Sequence, residues 1–116
     1  MKQILFKGKR VDNDEWIEGN YEYYHKPRKY IISNPYTGET KGVIPETVGQ
    51  FTGLCDKNGK KIFEGDIVES PHGTQGFIEW QNAQCAFLVN IGDDWQTMDD
   101  CPYEVIGNIY DNKEEE

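Results

Sequence analysis

Short runs of alternating apolar and polar residues, broken by Gly, Pro, Asn and Asp, set the pattern of this chain. Ile4-Leu5-Phe6 opens a strand that extends through Lys9 and Val11, and Asp12-Asn13-Asp14-Glu15 reads as a turn. Residues 16–24 then predict a longer strand. Ile17, Gly19, Tyr21 and Tyr23 share one side of it, and Trp16, Glu18, Asn20, Glu22 and Tyr24 share the other, which makes the two runs a hairpin. A basic loop over residues 25–29 leads to a third strand over 30–33, and Asn34-Pro35-Tyr36-Thr37-Gly38 is turn chemistry again. Pro45 opens the one stretch that supports a helical turn, ending at Val48.

Asn58-Gly59 supplies two positive-φ positions for a type I′ turn between strands over 51–55 and 61–63. Glu64-Gly65-Asp66 turns the chain into a strand over 67–69, which Pro71-His72-Gly73 ends. Further strands are predicted over 76–80 and 83–91. The second is apolar on both faces (Cys85, Phe87, Val89 and Ile91 against Ala86 and Leu88), which places it centrally or in an interface. A last strand covers 103–110, and residues 113–116 form an acidic tail expected to fray. No helical period is sustained. The reading is a mostly β single domain over 1–112: a small SH3-like, partly open barrel over 47–112, with an N-terminal hairpin and third strand over 1–46.

Length and composition agree with one core. A chain of 116 residues buries roughly 60–70% of its extended surface on folding. Seven Tyr, five Phe and three Trp let few positions build that core, and they favour strands. The formal net charge of −9 disfavours non-specific binding to a phosphate backbone. No apolar run reaches the length of a membrane span, and residues 1–6 lack the apolar core of a signal peptide, so a cytoplasmic protein is expected. Cys55, Cys85 and Cys101 are odd in number and unpaired in spacing. They read as reduced, partly buried thiols, outside any disulfide framework or zinc site.

The run from Pro45 to Leu54, followed by Asp56-Lys57-Asn58-Gly59-Lys60-Lys61-Ile62-Phe63-Glu64-Gly65-Asp66-Ile67-Val68, is long and specific. With Val105-Ile106-Gly107-Asn108-Ile109-Tyr110 near the end, and Trp16-Ile17-Glu18-Gly19-Asn20-Tyr21 near the start, it resembles the YopX-like family of phage and prophage proteins over nearly the whole chain. The resemblance implies a β-rich domain encoded by a phage or prophage, and it carries over no catalytic residue. The motif positions read as structural. Gly59 and Gly65 serve turns, Val48, Phe51, Leu54, Ile62 and Ile67 serve packing, and Gly53 and Gly107 suit bulges. Cys55, Phe63 and the basic loop look like local variation.

The chemistry-bearing residues favour no enzyme, metal or cofactor. His25 and His72 fall in predicted loops with nothing to bring a cysteine beside them, and Ser70-Pro71-His72 reads as a loop. Glu64, Asp66 and Glu69 alternate around a turn, and no Gly-rich phosphate loop is present. One patch departs from the acidic background: Tyr21, Tyr23, Tyr24, Lys26, Arg28, Lys29 and Tyr30 interleave cations with aromatic rings, the chemistry of single-stranded nucleic-acid binding. The expected role is a non-enzymatic, self-associating interaction module that could meet a phage or host protein. Nucleic-acid binding through that patch is the alternative. A second alternative is an acidic decoy for a host nucleic-acid-binding protein, presenting Asp93, Asp94, Asp99 and Asp100.

Overall fold

In the computed structural model of the chain, the N-terminal hairpin forms as the alternation predicts. β1 (Phe6–Lys9) pairs antiparallel with β2 (Trp16–His25), with Phe6 opposite Gly19 and Lys9 opposite Trp16. The structure describes residues 5–92, 94–97 and 103–111; Ile4, Cys101 and the acidic tail lie outside them. Contacts divide the chain into two units, Met1–Phe51 and Thr52–Glu116.

In the first unit β3 (Arg28–Ser33) and β4 (Thr40–Gly42) continue the sheet, and β5 (Gly49–Cys55) joins it beside β1, giving the order β4-β3-β2-β1-β5. The alternation of β2 is realised in its core. Ile17 is buried with Ile32 and Val43, and Phe6, Tyr21, Tyr30 and Val48 pack around them. Gly19 is required by close approach: a Cβ there would lie 2.0 Å from the Ser33 carbonyl oxygen, which is fixed backbone. A single 3-10 turn, Pro45–Thr47, is the helical turn expected at Pro45. Thr47 locks it, its hydroxyl donating to the Ile44 carbonyl (2.7 Å) and accepting the Lys9 amide (2.9 Å). Hydrophobic patterning did not predict β4, because Thr40-Lys41-Gly42 contains no large apolar residue; pairing with β3 makes it a strand.

β6 (Lys61–Phe63) follows β5 and is the sixth strand of that sheet, order β4-β3-β2-β1-β5-β6, and in the second unit β7 (Asp66–Glu69), β8 (Gln75–Gln81), β9 (Ala86–Ile91), β10 (Asp94–Gln96) and β11 (Glu104–Asn108) form a five-stranded antiparallel sheet, order β10-β9-β8-β7-β11. Its core is Ile62, Val68, Ile78, Val89 and Tyr103, with Phe87, Ile91 and Val105 against it. Leu88, on the opposite face of β9 from Val89, is also buried, so that strand is covered on both faces as its sequence implies. β9 begins only at Ala86, because residues 82–85 form the turn before it. Ile106 is the extra residue of a bulge in β11, between Val105 and Gly107.

The all-β class with one short helical turn is what the described residues have, and their strands divide between two antiparallel sheets that do not close into a barrel. The physical reason lies at Glu64-Gly65. Gly65, at φ +94°, turns the chain so that β6 and β7, consecutive in sequence, belong to different sheets.

The Asn58-Gly59 turn is real but of another type. Only Gly59 has positive φ (+86°), and Asn58 does not. Asp56 and Lys60 close a three-residue loop, a type I turn followed by a left-handed glycine, through the bonds Asp56 N to Lys60 O (2.7 Å) and Gly59 N to Asp56 O (3.0 Å). The Asp56 carboxylate decides this geometry. Its Oδ1 accepts the amides of Asn58 and Lys60 (both 2.8 Å), and its Oδ2 accepts the Val105 amide (3.0 Å) at the start of β11. Burial would raise the Asp56 carboxyl, but the three amide bonds together outweigh it and hold it below the usual carboxylate range. The same loop recurs at residues 70–74, with Gly73 in the glycine position and the Ser70 hydroxyl accepting the His72 and Thr74 amides. Positive φ at Gly53 interrupts the alternation of β5. Leu54, expected in the core, is consequently 40% exposed, while Phe63, which looked like local variation, is buried.

Candidate functional site

The basic aromatic segment is the outer end of the β2–β3 hairpin. Its loop is shorter than expected, because His25 ends β2 and Arg28 begins β3, leaving Lys26-Pro27 as the turn. The register sets Tyr21 opposite Ile32, Glu22 opposite Ile31, Tyr23 opposite Tyr30, Tyr24 opposite Lys29 and His25 opposite Arg28. Directly opposed residues project from the same face. One face therefore carries Tyr21, Tyr23, His25, Arg28 and Tyr30, and the other carries Glu22, Tyr24, Lys29 and Ile31. The single patch read from the sequence is two surfaces, with Lys26 at the turn between them.

On the first face the rings form a ladder from the core to the tip. Phe6 and Tyr21 meet at 5.6 Å between centroids; Tyr23 stacks on Tyr30 at 4.7 Å and 22°; His25 meets Tyr23 edge-on at 4.7 Å. Tyr21 and Tyr30 are anchored on the core, and burial, with the neighbouring Tyr30 and Tyr23, raises the Tyr21 hydroxyl pKa. Tyr23, at the outer end, is 40% exposed. On the second face the Tyr24 hydroxyl donates to the Glu22 carboxylate (2.8 Å); that bond, then the carboxylate's charge, raises the Tyr24 pKa.

Lys26, Arg28 and Lys29 are exposed, and among the described residues none of them forms an ion pair. Arg10, in the same unit, contrasts with them. It grips Asp12 through two bonds (3.0 and 2.8 Å) and reaches Glu39 at 3.4 Å. The charge of the chain is also unevenly placed. Met1–Phe51 has eight Lys and Arg against seven Asp and Glu, a balance of +1; Thr52–Glu116 has four against fourteen, a balance of −10, and together these give the −9 of the whole. The average charge that argued against an anionic ligand belongs to the unit without the patch.

The other candidates occupy structural positions. Ser70 and His72 belong to the loop at 70–74, where the serine hydroxyl accepts backbone amides. Asp66 is buried and accepts the Phe63 amide (2.8 Å), while Glu69 meets Gln75, so these carboxylates do not converge. Among the described residues, no three His, Cys, Asp or Glu side chains are placed to hold a metal ion. Cys55 and Cys85 are exposed free thiols, contrary to the partly buried state expected of them, because each lies at or beside a turn. Of the four carboxylates assigned to a decoy surface only Asp94 is described; it opens β10 and accepts the Trp95 amide, and Asp93, Asp99 and Asp100 lie outside the described residues.

Sequence reasoning missed the second face as a surface of its own, which register reveals, and it missed Lys41, which becomes a neighbour of the hairpin, opposite Ile32 on the first face, only once β4 pairs with β3. No helix among the described residues is long and apolar enough to cross a membrane.

Residues 5–115 match the family model described as YopX protein, which covers nearly the whole chain, and the chain belongs to that family. No curated protein matches it.

Proposed function

We propose that this is a non-catalytic accessory module of a phage or prophage, working in the bacterial cytoplasm, whose first unit holds single-stranded nucleic acid on the β2–β3 hairpin. The observation that supports it is the Tyr23–Tyr30 stack, anchored on the core at one end and open at the other, with Arg28 on the same face, Lys26 at the turn and Lys29 on the reverse face, none of which forms an ion pair among the described residues. Bases stack on such rings whatever their identity, and lysine and arginine hold the phosphates between them. Neutralising about three phosphates of a single strand gives a slope of log affinity on log salt near −2. Fluorescence anisotropy of a short labelled single strand, titrated at several salt concentrations, tests this. The variant carrying Lys26→Glu, Arg28→Glu and Lys29→Glu should lose binding, and Tyr23→Ala should weaken it by about 1–3 kcal/mol. No binding at low salt, or undiminished binding by the triple variant, overturns the reading.

Self-association is the second reading, favoured by a separate observation. The outer strands of the five-stranded sheet, β10 and β11, each expose a large apolar residue, Trp95 and Ile106. Edge strands with exposed apolar side chains are the usual seed of strand-to-strand association. Light scattering should give a mass above that of one chain, lowered by Trp95→Lys or Ile106→Lys. A monomeric mass across a wide concentration range rejects it.

A further inference from the structure

Asn58 is the only asparagine of the chain that a glycine follows. Asparagine is a labile residue, and a glycine after it leaves the next backbone nitrogen unshielded by any side chain. Both residues are exposed, and a Cβ placed on Gly59 would meet nothing within 4 Å. The side chains of Asn13, Asn34, Asn82, Asn90 and Asn108 take part in hydrogen bonds. The Asn58 side chain forms none among the described residues, where its backbone amide alone is engaged. What opposes attack by the Gly59 nitrogen on that side chain is the loop itself. The Gly59 amide donates to the Asp56 carbonyl (3.0 Å), and the Asp56 carboxylate closes the loop by accepting the Asn58 and Lys60 amides (both 2.8 Å).

We propose that Asn58 is a site of spontaneous deamidation which the Asp56 carboxylate holds closed, and that its conversion loosens β11. In the reaction the Gly59 nitrogen gives its proton to water and bonds to the Asn58 side-chain carbonyl carbon. The bond from that carbon to the side-chain nitrogen breaks, and ammonia leaves with a proton returned by water. Water then opens the succinimide ring at either carbonyl, giving aspartate or isoaspartate. Nothing is oxidised or reduced, and water is the sole co-reactant. A nitrogen that donates to the Asp56 carbonyl cannot lose its proton without giving up that bond, so the reaction proceeds from the opened loop. Isoaspartate lengthens the main chain between positions 58 and 59, and the three-residue loop no longer fits between Asp56 and Lys60. The carboxylate then loses the geometry that also holds the Val105 amide (3.0 Å) at the start of β11. Either product adds a negative charge beside Asp56. The inference is independent of the strand-binding reading, since it concerns the other unit.

The test is incubation of the full chain at mildly alkaline pH, folded and in urea, with the mass gain from amide to acid mapped by peptide mass spectrometry. Conversion should fall on Asn58 and run at least about 10-fold slower in the folded chain than in urea, because the open loop is a minor state. Asp56→Ala should raise the folded rate by about 10-fold, since reaction through an open form tracks the population of that form. Asp56→Asn keeps a neutral acceptor and should fall between the two, which preserves the test if the alanine variant fails to fold. Hydrogen exchange at the Val105 amide should accelerate in the converted chain. Equal rates folded and in urea, or conversion at other asparagines as fast as at Asn58, overturns the proposal. Folded Asp56 variants that react no faster than the natural chain overturn the part given to the carboxylate, and unaltered Val105 exchange overturns the link to β11.

Discussion

The two units share antiparallel architecture and differ in charge, and the second adds three-residue loops to the four-residue kind that both contain. In the first unit, the loops after Arg10 and Asn34 enclose four residues and end on a left-handed position, Asp14 at φ +61° and Gly38 at φ +77°. In the second, the loops after Asp56 and Ser70 enclose three and end on Gly59 and Gly73, while the loop after Gln81 encloses four and ends on left-handed Cys85, as in the first unit. Loop length follows the residue that starts each turn and the register it must connect. The charge contrast has larger consequences, since one unit is balanced, with three cations at a hairpin end that form no ion pair among the described residues, and the other is strongly acidic. A net charge averaged over the chain describes neither. Electrostatic arguments about ligands have to be made over the distance at which charges act, roughly 10 Å at ordinary salt, and the hairpin must be judged by its own neighbourhood.

Substitutions can break this comparison or sharpen it. Gly19→Ala should have the largest effect, a loss of about 3 kcal/mol or more in chemical denaturation, because its methyl group meets a carbonyl that cannot move aside. Asp56→Ala should cost the second unit about 2–4 kcal/mol, since three amides lose a charged acceptor. Ser70→Ala, at the equivalent place in the sister loop, should cost only about 1 kcal/mol, because its hydroxyl serves two exposed amides and no distant strand. Equal losses at Asp56 and Ser70 would show that the bond to Val105 adds nothing.

The Asp56 carboxyl also sets an acid limit. Its folded pKa lies below that of the unfolded chain, about 3.9. Its stabilisation is therefore fully present above that value and is lost as pH falls through the folded pKa. Denaturation midpoints measured from pH 6 down to about pH 2 should drop less steeply for Asp56→Asn than for the natural chain. The smallest effects concern the left-handed positions without glycine. Cys85, at φ +53°, lacks the local tolerance that a short acidic side chain gives Asp14. Cys85→Gly should stabilise by about 0.5–1 kcal/mol, and Asp14→Gly should change stability by less than about 0.5 kcal/mol. A larger gain at Asp14 would contradict the contrast.

Local information sufficed for much of the fold. The β1–β2 hairpin was legible because Ile17 and Tyr21 alternate with polar residues on a strand half covered by core. The turns at Asn34, Gly59 and Gly73 were legible because their residues act within the loop itself. β4 was not, since three residues without an apolar side chain become a strand only by pairing. Nor was the exposure of Leu54, which depends on the backbone at Gly53. Of the candidate site, composition revealed the cations and rings, and register divided them between two faces.

The sequence by itself therefore determined an all-β chain, the place of its turns and its membership of the YopX family, because alternation, turn residues and a long motif are local properties of the chain. Tertiary structure decided that the strands form two open sheets, that Asp56 fastens its loop to β11, and that the basic aromatic segment presents a ring ladder on one face and Glu22, Tyr24, Lys29 and Ile31 on the other. Each of these depends on which residues lie opposite one another across strands, sometimes many positions apart, and no spacing within a single run encodes that pairing.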